Sequence, residues 1–482
     1  MISRRAFQVS AAAGALALVG GVVLFRLFRR WEARGAEAQP VAGECSPTTL
    51  KDDTAKWKPI ERQSATPTMF PLHPVEEQRY LVDAAGQAFL IVGDSAWSLL
   101  TQLTTEDAEL YLSDRQAKGF NTLLINLLEH KFADGAPRNV YGDGPFKQDG
   151  DFSTPNDRYF DHAERILRDA AQKGFLVLLA PAYIGASGGD EGWYREMEAC
   201  GPEKLRDYGR YVGKRFKHFK NIIWVNVGDY NPPNKTLSQA VAEGIREILP
   251  DSVHTAHNAP EMHGLGYWSA GEIPIAIDTL YTYAPVAAEA LLLAANRKTP
   301  YFLIETMYEN EKEGTPLRTR IQAWQAVLSG AAGQLFGNNP IWHFNASAAK
   351  PQPMQWKAAL NSPGTLGIVH LRNFLLSLPW FTLEPDSDGM LLVGGALRGH
   401  FQAVAARSRD GKFGIIYLPS PRLFAIDLKQ FAGDHVTVRW FDPADGQFLN
   451  ADPKHLPASG RQEFNVPGCS RDGDWVLLLS AA

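Results

Sequence analysis

Cysteine is scarce in this chain of 482 residues. The three cysteines, Cys45, Cys200 and Cys469, are widely separated and form no Cys-x-x-Cys pair. An odd number cannot complete a disulfide framework, and this spacing does not match a structural zinc site. Apolar residues make up 45% of the chain, which is enough for a large core. We therefore expect a globular protein whose fold does not depend on disulfides.

A strong charge of one sign and the short motifs of several enzyme classes are also missing. The formal net charge is -5, and no long basic run follows the first 35 residues, so nucleic acid is not an expected partner. No GxGxxG or phosphate-binding loop follows the first apolar strand, and no HxH or HExxH motif is present. The sequence predicts neither a cofactor nor a metal site.

The N-terminus has the pattern of an export signal. Residues 3–7 read Ser-Arg-Arg-Ala-Phe, which resembles the twin-arginine signal, and an apolar stretch from Ala11 to Phe25 follows. This stretch is typical of a signal peptide and short for a membrane span. A candidate cleavage site lies at residues 36–38, Ala-Glu-Ala. We predict that residues 1–38 direct export to the periplasm or the extracellular space.

Two features leave an alternative open at this end of the chain. Arginines at positions 26, 29, 30 and 34 follow the apolar stretch and could block cleavage, so that residues 7–28 would remain as a membrane anchor. A plain transmembrane helix is the alternative to an export signal. Residues 39–75 have recurring proline and threonine without a sustained apolar period, which predicts a linker.

From about residue 76 the chain alternates short apolar runs with amphipathic segments. The runs are 89–94, 121–128, 175–183, 222–229, 252–258, 279–285, 301–309 and 333–339. The clearest helical segments between them are 104–119, 155–174, 202–216, 236–249 and 317–330. Continuous apolar strands that alternate with helices indicate a parallel sheet covered on both faces. Eight such units predict a (β/α)8 barrel over residues 76–382, with an open doubly wound sheet as the alternative.

The last hundred residues follow another pattern. Short apolar runs such as FGIIYLP and HVTVRWFDP are separated by turns, and few helical stretches lie between them. Asp410-Gly411 and Asp445-Gly446 are typical of hairpin turns. This pattern predicts a small all-β sandwich over residues 383–482.

Two acids lie at barrel strand ends, where this fold carries its chemistry. Asp229 follows the fourth predicted strand and Glu305 lies in the seventh. Glycosidic bond cleavage uses two carboxylates, one to protonate the leaving oxygen and one to attack or stabilise the anomeric carbon. Asp229 could instead cap a turn or a helix. Glu305 is harder to explain as structural, because a buried carboxylate without a partner costs several kcal/mol.

Six further side chains near predicted strand ends are candidates for substrate binding. They are Asp94, Trp97, His257, Tyr283, Tyr308 and Trp342. Each also has a structural alternative: Asp94 could cap a helix, His257 could bond within the core, and the aromatic rings could serve as packing.

Several motifs resemble those of one enzyme family. They are Gly93-Asp94-Ser95-Ala96-Trp97, the segment RQAKGFN at 115–121, WVNVGD at 224–229 and the stretch PYFLIETMYE at 300–309. In this combination they resemble the apiosidase-like glycoside hydrolases, glycoside hydrolase family 140 and its wider relatives. The segment VRWFDPADGQF in the β domain resembles the small C-terminal domain, sometimes labelled collagen-binding-like, that often follows this barrel.

The resemblance implies an enzyme that cleaves a plant or microbial polysaccharide, with release of the branched furanose apiose as the characterised activity. By motif match, Asp229 would be the acid/base and Glu305 the nucleophile of a retaining mechanism. Many members have a second glycine before the acid, whereas Val227 stands there in this chain. The alternative is a catalytically inactive, exported carbohydrate-binding or surface protein on a barrel scaffold.

Overall fold

The structure is a computed structural model that describes residues 67–296, 299–349, 352–468, 470 and 472–482. The predicted export signal, the possible anchor at 7–28 and most of the predicted linker lie outside the described residues. Among the described residues, no helix combines the length and apolar character needed to cross a membrane.

A small antiparallel sheet precedes the barrel. It consists of β1 (His73–Pro74), β2 (Leu81–Val82) and β3 (Ala88–Phe89). Leu72, in the segment predicted as a linker, is 2% exposed and packs into a hydrophobic cluster with barrel residues. Ordered structure therefore begins before residue 76.

Eight parallel strands form the barrel. They are β4 (Ile91–Ser95), β5 (Thr122–Asn126), β6 (Leu176–Ala180), β7 (Ile222–Val227), β8 (His254–His257), β9 (Asp278–Tyr281), β10 (Tyr301–Glu305) and β11 (Gly333–Phe336). Each overlaps one of the eight predicted runs, with Ser95 and Asp278 one residue outside, and almost every residue in them is buried because helices cover the outside of the ring.

The strand order shows that the sheet curves into a ring. It runs β8-β7-β6-β5-β4-β11-β10-β9, so the first and last barrel strands pair, with Phe336 opposite Asp94. Between β8 and β9 the connection is looser and is made largely by threonine side chains. The Thr255 hydroxyl donates to the Ile277 carbonyl at 2.7 Å, and the Thr279 hydroxyl donates to the Ala256 carbonyl at 2.6 Å. The barrel prediction is confirmed.

The helices of the barrel region confirm all five predicted segments and add others. They are α1 (Leu99–Gln102), α2 (Thr105–Ala117), α3 (Asp157–Gln172), α4 (Tyr194–Phe216), α5 (Thr236–Ile248), α6 (Gly264–Tyr267), α7 (Val286–Asn296), α8 (Pro316–Leu328), α9 (Trp356–Ala359) and α10 (Pro363–Leu376). Helix α4 begins before the predicted start at 202, and Gly201, with φ +72°, interrupts it there. Thr104, Thr315 and Ser362 cap α2, α8 and α10 by accepting a backbone N–H bond in the first turn.

The C-terminal part is a two-sheet sandwich, as predicted. The larger sheet has the order β12 (Leu383–Pro385), β14 (Val404–Ser408), β15 (Phe413–Leu418), β20 (Trp475–Ala481), β17 (His435–Asp442) and β18 (Gln447–Pro457). The smaller sheet has the order β13 (Leu392–Gly394), β16 (Leu423–Asp427) and β19 (Arg461–Asn465). Gly411 and Gly446 lie in the two predicted hairpin turns with φ of +68° and +71°.

The sandwich packs against the barrel helices within one compact unit. Arg320 of α8 is 1% exposed and contacts the fully buried carboxylate of Asp474 through two nitrogens, at 3.1 and 2.9 Å. The Tyr417 hydroxyl donates to the same carboxylate at 2.9 Å, and its ring stacks on Trp324 at 5.6 Å. A buried ion pair and a shared aromatic core therefore join the two parts.

Candidate active site

The end of β7 places Asp229 in the barrel mouth through a strained turn. Three consecutive residues have positive φ: Val227 (+65°), Gly228 (+143°) and Asp229 (+54°). Only glycine adopts such angles freely, and a β-branched residue there is a genuine outlier. A Cβ on Gly228 would lie 2.2 Å from the Tyr183 ring, so this glycine is required by close packing as well. Strain of this kind is concentrated at functional sites.

The Asp229 side chain is held by a tyrosine. The Tyr183 hydroxyl donates to Oδ2 at 2.6 Å, and the side chain is 20% exposed. Oδ1 lies 3.6 Å from Nδ1 of His257 and accepts no hydrogen bond from the described residues. Oδ1 is thus a buried carboxylate oxygen without a hydrogen-bond partner among the described residues.

Glu305 is the last residue of β10 and is 8% exposed. Its Oε2 lies 3.2 Å from Nε2 of His257. Burial, together with the charge of Asp229, raises the pKa of Glu305 to about 7, against opposing contributions from His257 and Tyr308. A carboxylate oxygen of Asp229 and one of Glu305 lie within 4.8 Å of each other. The two predicted acids share one site.

His257, the last residue of β8, lies between the two acids and is fully buried. Its Nδ1 accepts the backbone N–H of Asp229 at 3.2 Å, while Nε2 faces Glu305. The ring stacks on Tyr281 at 4.9 Å and meets the edge of Trp97 at 5.5 Å. Burial lowers the pKa of His257, but the charges of Asp229 and Glu305 outweigh burial, so this pKa lies above its usual value.

Aromatic side chains surround the acids. The Trp97 indole donates to the Tyr308 hydroxyl at 3.0 Å, and both residues are 7% exposed. Tyr283 is 40% exposed, and its hydroxyl lies 3.1 Å from that of Tyr281. Four of the predicted binding residues (Trp97, His257, Tyr283 and Tyr308) thus lie at or next to the acid pair.

Trp342 lies in the segment after β11 and is half-buried. Its indole donates to Glu311 at 2.6 Å, and its ring packs on Phe132 at 5.0 Å. Glu311 belongs to the segment after β10, so the two strand-end segments contact each other through this pair. Trp342 remains a predicted binding residue, with no contact to the acid pair among those described.

Asp94 requires a correction, because its side chain does not face the substrate side of the barrel. The carboxylate is fully buried and accepts hydrogen bonds from the Arg115 guanidinium at 2.6 Å and the Tyr111 hydroxyl at 2.7 Å. Both partners belong to α2, outside the ring. Asp94 is therefore structural, but as an ion-pair partner that ties β4 to α2 and not as a helix cap.

This pairing also explains why two of the quoted motifs occur together. Arg115 opens the RQAKGFN segment and pairs with the aspartate of Gly93-Asp94-Ser95. Asn121, the last residue of that segment, accepts the Val92 N–H at 2.9 Å and donates to the Leu90 carbonyl at 2.8 Å. The two motifs are halves of one structural contact.

Two further tyrosines, Tyr183 and Tyr281, lie at the site without being predicted as site residues. Tyr183 follows β6 and donates to Asp229, and Tyr281 ends β9 and stacks on His257. The available signal is their position, since Tyr183 closes one predicted apolar run and Tyr281 lies within another.

The donor atoms of the site also suit a cation in principle. Asp229, His257 and Glu305 each bring one oxygen or nitrogen ligand atom to within 4.8 Å of the others. His257 Nδ1 is occupied by the Asp229 N–H, so Nε2 is the nitrogen left for a cation, and it already faces Glu305. The arrangement thus fits an acid pair bridged by an imidazole at least as well as a cation.

Family comparisons agree with this geometry. The family model described as "Apiosidase-like, catalytic domain" matches residues 75–382, which contain all eight barrel strands and both acids. The chain belongs to the apiosidase-like family. A second model, described as "Putative collagen-binding domain of a collagenase", matches residues 385–480 of this apiosidase-like chain. The resemblance predicted from the motifs is confirmed.

Solved structures show the same fold. One described as "Glycoside hydrolase" has a TM-score of 0.73 at 21% identity, over 85% of this chain and 97% of that chain. A glycoside hydrolase family 5 structure from Bacteroides vulgatus has a TM-score of 0.74 at 22% identity, over 85% and 93% of the two chains. A comparison with curated proteins finds no match. With its family and its fold, the apiosidase-like chain is a glycoside hydrolase.

Proposed function

We propose that this enzyme cleaves a furanoside bond in a plant or microbial polysaccharide by double displacement. One observation carries the proposal: Asp229 and Glu305, from facing strands, bring carboxylate oxygens within 4.8 Å of each other in a largely buried site. Retaining glycosidases hold their two carboxyl groups about 5–5.5 Å apart, and inverting ones about 6.5–9.5 Å. The short separation favours retention, and the furanoside specificity rests on the family.

In this mechanism the two acids have different tasks. Glu305 attacks the anomeric carbon while Asp229 gives a proton to the leaving oxygen, which forms a covalent glycosyl-enzyme. Asp229 then takes a proton from water, and the hydroxide formed in that step displaces Glu305 from the sugar. Asp229 has the more exposed side chain of the two acids, at 20% against 10% for Glu305, which supports its assignment as the acid/base that meets the leaving oxygen.

The proton bound by Glu305 limits its assignment as the nucleophile. Glu305, with a pKa of about 7, keeps a proton in slightly acidic solution, whereas attack requires its carboxylate. The mechanism therefore requires substrate binding to leave Glu305 ionised, with the proton to be donated on Asp229.

The aromatic side chains around the acids are the proposed sugar contacts. Trp97 and Tyr308 lie deepest, and Tyr283 and Trp342 are more accessible. Rings of this kind pack against the apolar face of a sugar and donate hydrogen bonds to its hydroxyls. The carbohydrate is the only partner that this arrangement requires.

The location of the enzyme is a separate proposal. The twin-arginine-like pattern at residues 3–7 and the apolar stretch after it support export to the periplasm or beyond. If the signal is not cleaved, residues 7–28 would anchor the enzyme in the membrane. Fractionation of cells that produce the full chain, followed by N-terminal sequencing, separates these outcomes.

The test of function is incubation with a panel of furanoside-containing glycans and identification of the released sugar. We expect Glu305→Gln and Asp229→Asn to lower turnover by at least about 10³-fold, and the exposed-site control Asp251→Asn to leave it unchanged. The anomer released first should keep the substrate's configuration, and EDTA should have no effect. Normal turnover by Glu305→Gln would overturn the proposal, and glycan binding without product would favour the inactive alternative.

A further inference from the structure

The position of the His257 imidazole between the two acids is fixed from four sides. Its faces are covered by Tyr281, stacked at 4.9 Å with 19° between the planes, and by the edge of Trp97 at 5.5 Å. Its two nitrogens face the two acids. Because the His257 ring is fully buried and contacted on every side, it has one orientation. Its Nδ1 therefore faces Asp229, and its Nε2 faces Glu305.

The backbone of Asp229 decides the tautomer of this ring. The Asp229 N–H donates to Nδ1 at 3.2 Å, which requires Nδ1 to be an acceptor without a proton. In the neutral ring the proton is then on Nε2, which faces Oε2 of Glu305 at 3.2 Å. The geometry thus makes Nδ1 an acceptor for one acid residue and places Nε2 at 3.2 Å from the second acid, where neither Nε2 nor Oε2 has another hydrogen-bond partner among the described residues.

The two contacts act on different properties of the site. Asp229 has a left-handed backbone, with φ +54°, and follows two more residues with positive φ. Such a conformation persists only where its surroundings hold it, and Nδ1 provides a hydrogen bond to its N–H. Glu305 instead needs a donor that orients its carboxylate and favours its charged form.

We propose that His257 is a positioning residue with two separable roles: Nδ1 holds the backbone of Asp229, and Nε2–H holds the carboxylate of Glu305. This inference rests on the proposed function, in which these two acids are the catalytic pair. It replaces the predicted role of His257 in substrate binding, because both nitrogens are used within the protein.

Other titratable groups near the pair do not substitute for Nε2–H. Asp229, Tyr183, Tyr281, Tyr283 and Tyr308 face the pair or His257. Burial raises the pKa of each tyrosine, so all four hydroxyls stay neutral. Tyr308 also favours the charged form of Glu305, because its hydroxyl accepts the Trp97 indole N–H and keeps its own O–H to donate, but its effect on the pKa of Glu305 is smaller than that of His257. Loss of Nε2–H therefore removes a main stabiliser of the Glu305 charge.

Two substitutions separate the roles. In His257→Asn the amide oxygen can take the place of Nδ1, but nothing replaces Nε2. In His257→Gln the longer amide can reach Glu305, but the acceptor for the Asp229 N–H is lost. We expect His257→Asn to move the acidic limb of the kcat/KM profile to higher pH by about one pH unit. We expect His257→Gln to keep that limb and lose up to about 100-fold in kcat at every pH.

His254 supplies the matched control, because it lies on the same strand and is also fully buried. Its ring contacts Ser252 and Asn226 rather than the acids, and burial lowers its pKa to about 3. The Asn and Gln variants of His254 should leave the acidic limb in place. If the two His257 variants have the same profile, or match the His254 variants, the inference is overturned. If Glu305→Gln also keeps its turnover, the proposed function has failed instead.

The tautomer can be measured without activity. In ¹⁵N-histidine-labelled enzyme, the resonances lost in His257→Gln identify the ring, and long-range proton–nitrogen spectra report which nitrogen carries the proton. A protonated Nε2 with an unprotonated Nδ1 at pH 8 is the expected result. A proton on Nδ1 alone would contradict the inference, and this readout remains valid if any variant fails to fold.

Discussion

Glu305 is a single residue whose buried carboxylate, required by the proposed function, lowers the stability of the folded enzyme. Its usual pKa of 4.5 is raised to about 7 in the folded enzyme. Because the folded state then binds this proton more tightly than the unfolded state does, the carboxyl group costs no stability below about pH 4.5. Between pH 4.5 and about 7 the unfolded chain has released this proton while the folded enzyme still holds it, so the enzyme loses stability progressively over that range. Above about pH 7 the cost reaches up to about 3 kcal/mol.

We therefore predict that Glu305→Gln is more stable than the parent enzyme at pH 8, by up to about 3 kcal/mol, while its turnover is lost. The difference should shrink towards pH 5, where the parent carboxyl is protonated. Urea unfolding at the two pH values measures it.

Burial also raises the pKa of Glu309, but its carboxylate is held by hydrogen bonds that a Gln side chain cannot all keep, so the opposite sign is expected. It is 1% exposed, and its carboxylate accepts hydrogen bonds from Asn338, Ser362 and the Gly364 N–H at 2.5–2.8 Å. Replacement by Gln should therefore destabilise the enzyme by about 1–3 kcal/mol, because an amide cannot accept at both oxygens. A Glu305→Gln variant that is less stable at both pH values would contradict the prediction.

At the scale of an element, β7 is a regular strand up to its last residue, where the backbone changes to positive φ angles. Val225 is fully buried, whereas Val227 is 2% exposed with a φ of +65°. A left-handed conformation costs a residue with a side chain about 1–2 kcal/mol, and glycine avoids this cost. Val227 stands where many family members have glycine, so this enzyme keeps a strained valine at the base of its acid.

We predict that Val227→Gly destabilises the enzyme less than Val225→Gly, by about 1–2 kcal/mol. Both variants lose a buried valine side chain, and only the first relieves strain. Chemical denaturation of the two variants gives the comparison. Equal losses would mean that the valine at 227 stores no strain.

The elements that can be predicted from the sequence are those with a clear pattern of apolar and polar residues. Most barrel strands are short apolar runs, although β8 reads His-Thr-Ala-His, and four of the five predicted helices bury one face while α8 is buried almost all round. The sequence does not predict α7, because alanine and leucine leave it without a polar face, or α10, because Ser-Pro-Gly at its start also fits a turn. In the sandwich, β18 and β19 are not predicted because polar residues interrupt their apolar pattern.

Position along a strand was sufficient to predict that the two acids lie close together. Asp229 and Glu305 meet because the fourth and seventh strands face each other across a closed ring. Asp94 also lies at a strand end, but its side chain points to the opposite face of the sheet. The contacts of His257 depend on ring orientation and on the backbone of Asp229, neither of which a one-dimensional pattern contains.

At the scale of the whole molecule, α8 joins the barrel to the sandwich. Every residue of this helix from Thr319 to Leu328 is buried, so no face is left for solvent. A helix buried all round belongs to the interior of a larger unit. The sandwich therefore completes the core of the catalytic part, whatever else it binds.

We predict that Arg320→Met destabilises the whole enzyme by about 3–5 kcal/mol, because Asp474 is left charged and buried. Adding Asp474→Leu should recover part of that loss, since it removes the unpaired charge. Calorimetry should show one cooperative transition for the parent enzyme and for both variants. A separate early transition of the sandwich, with an unchanged transition of the barrel, would contradict this account.

The contact between Asp94 and Arg115 has a consequence for recognising relatives of this enzyme. Because the pair holds a strand to its helix and never meets the substrate, selection for folding alone would preserve it. Proteins that had lost all hydrolytic activity would keep both motifs and would be retrieved with the active enzymes by the same search. Active members have to be sorted by the two acids and the imidazole between them, three positions that contribute little to a sequence score.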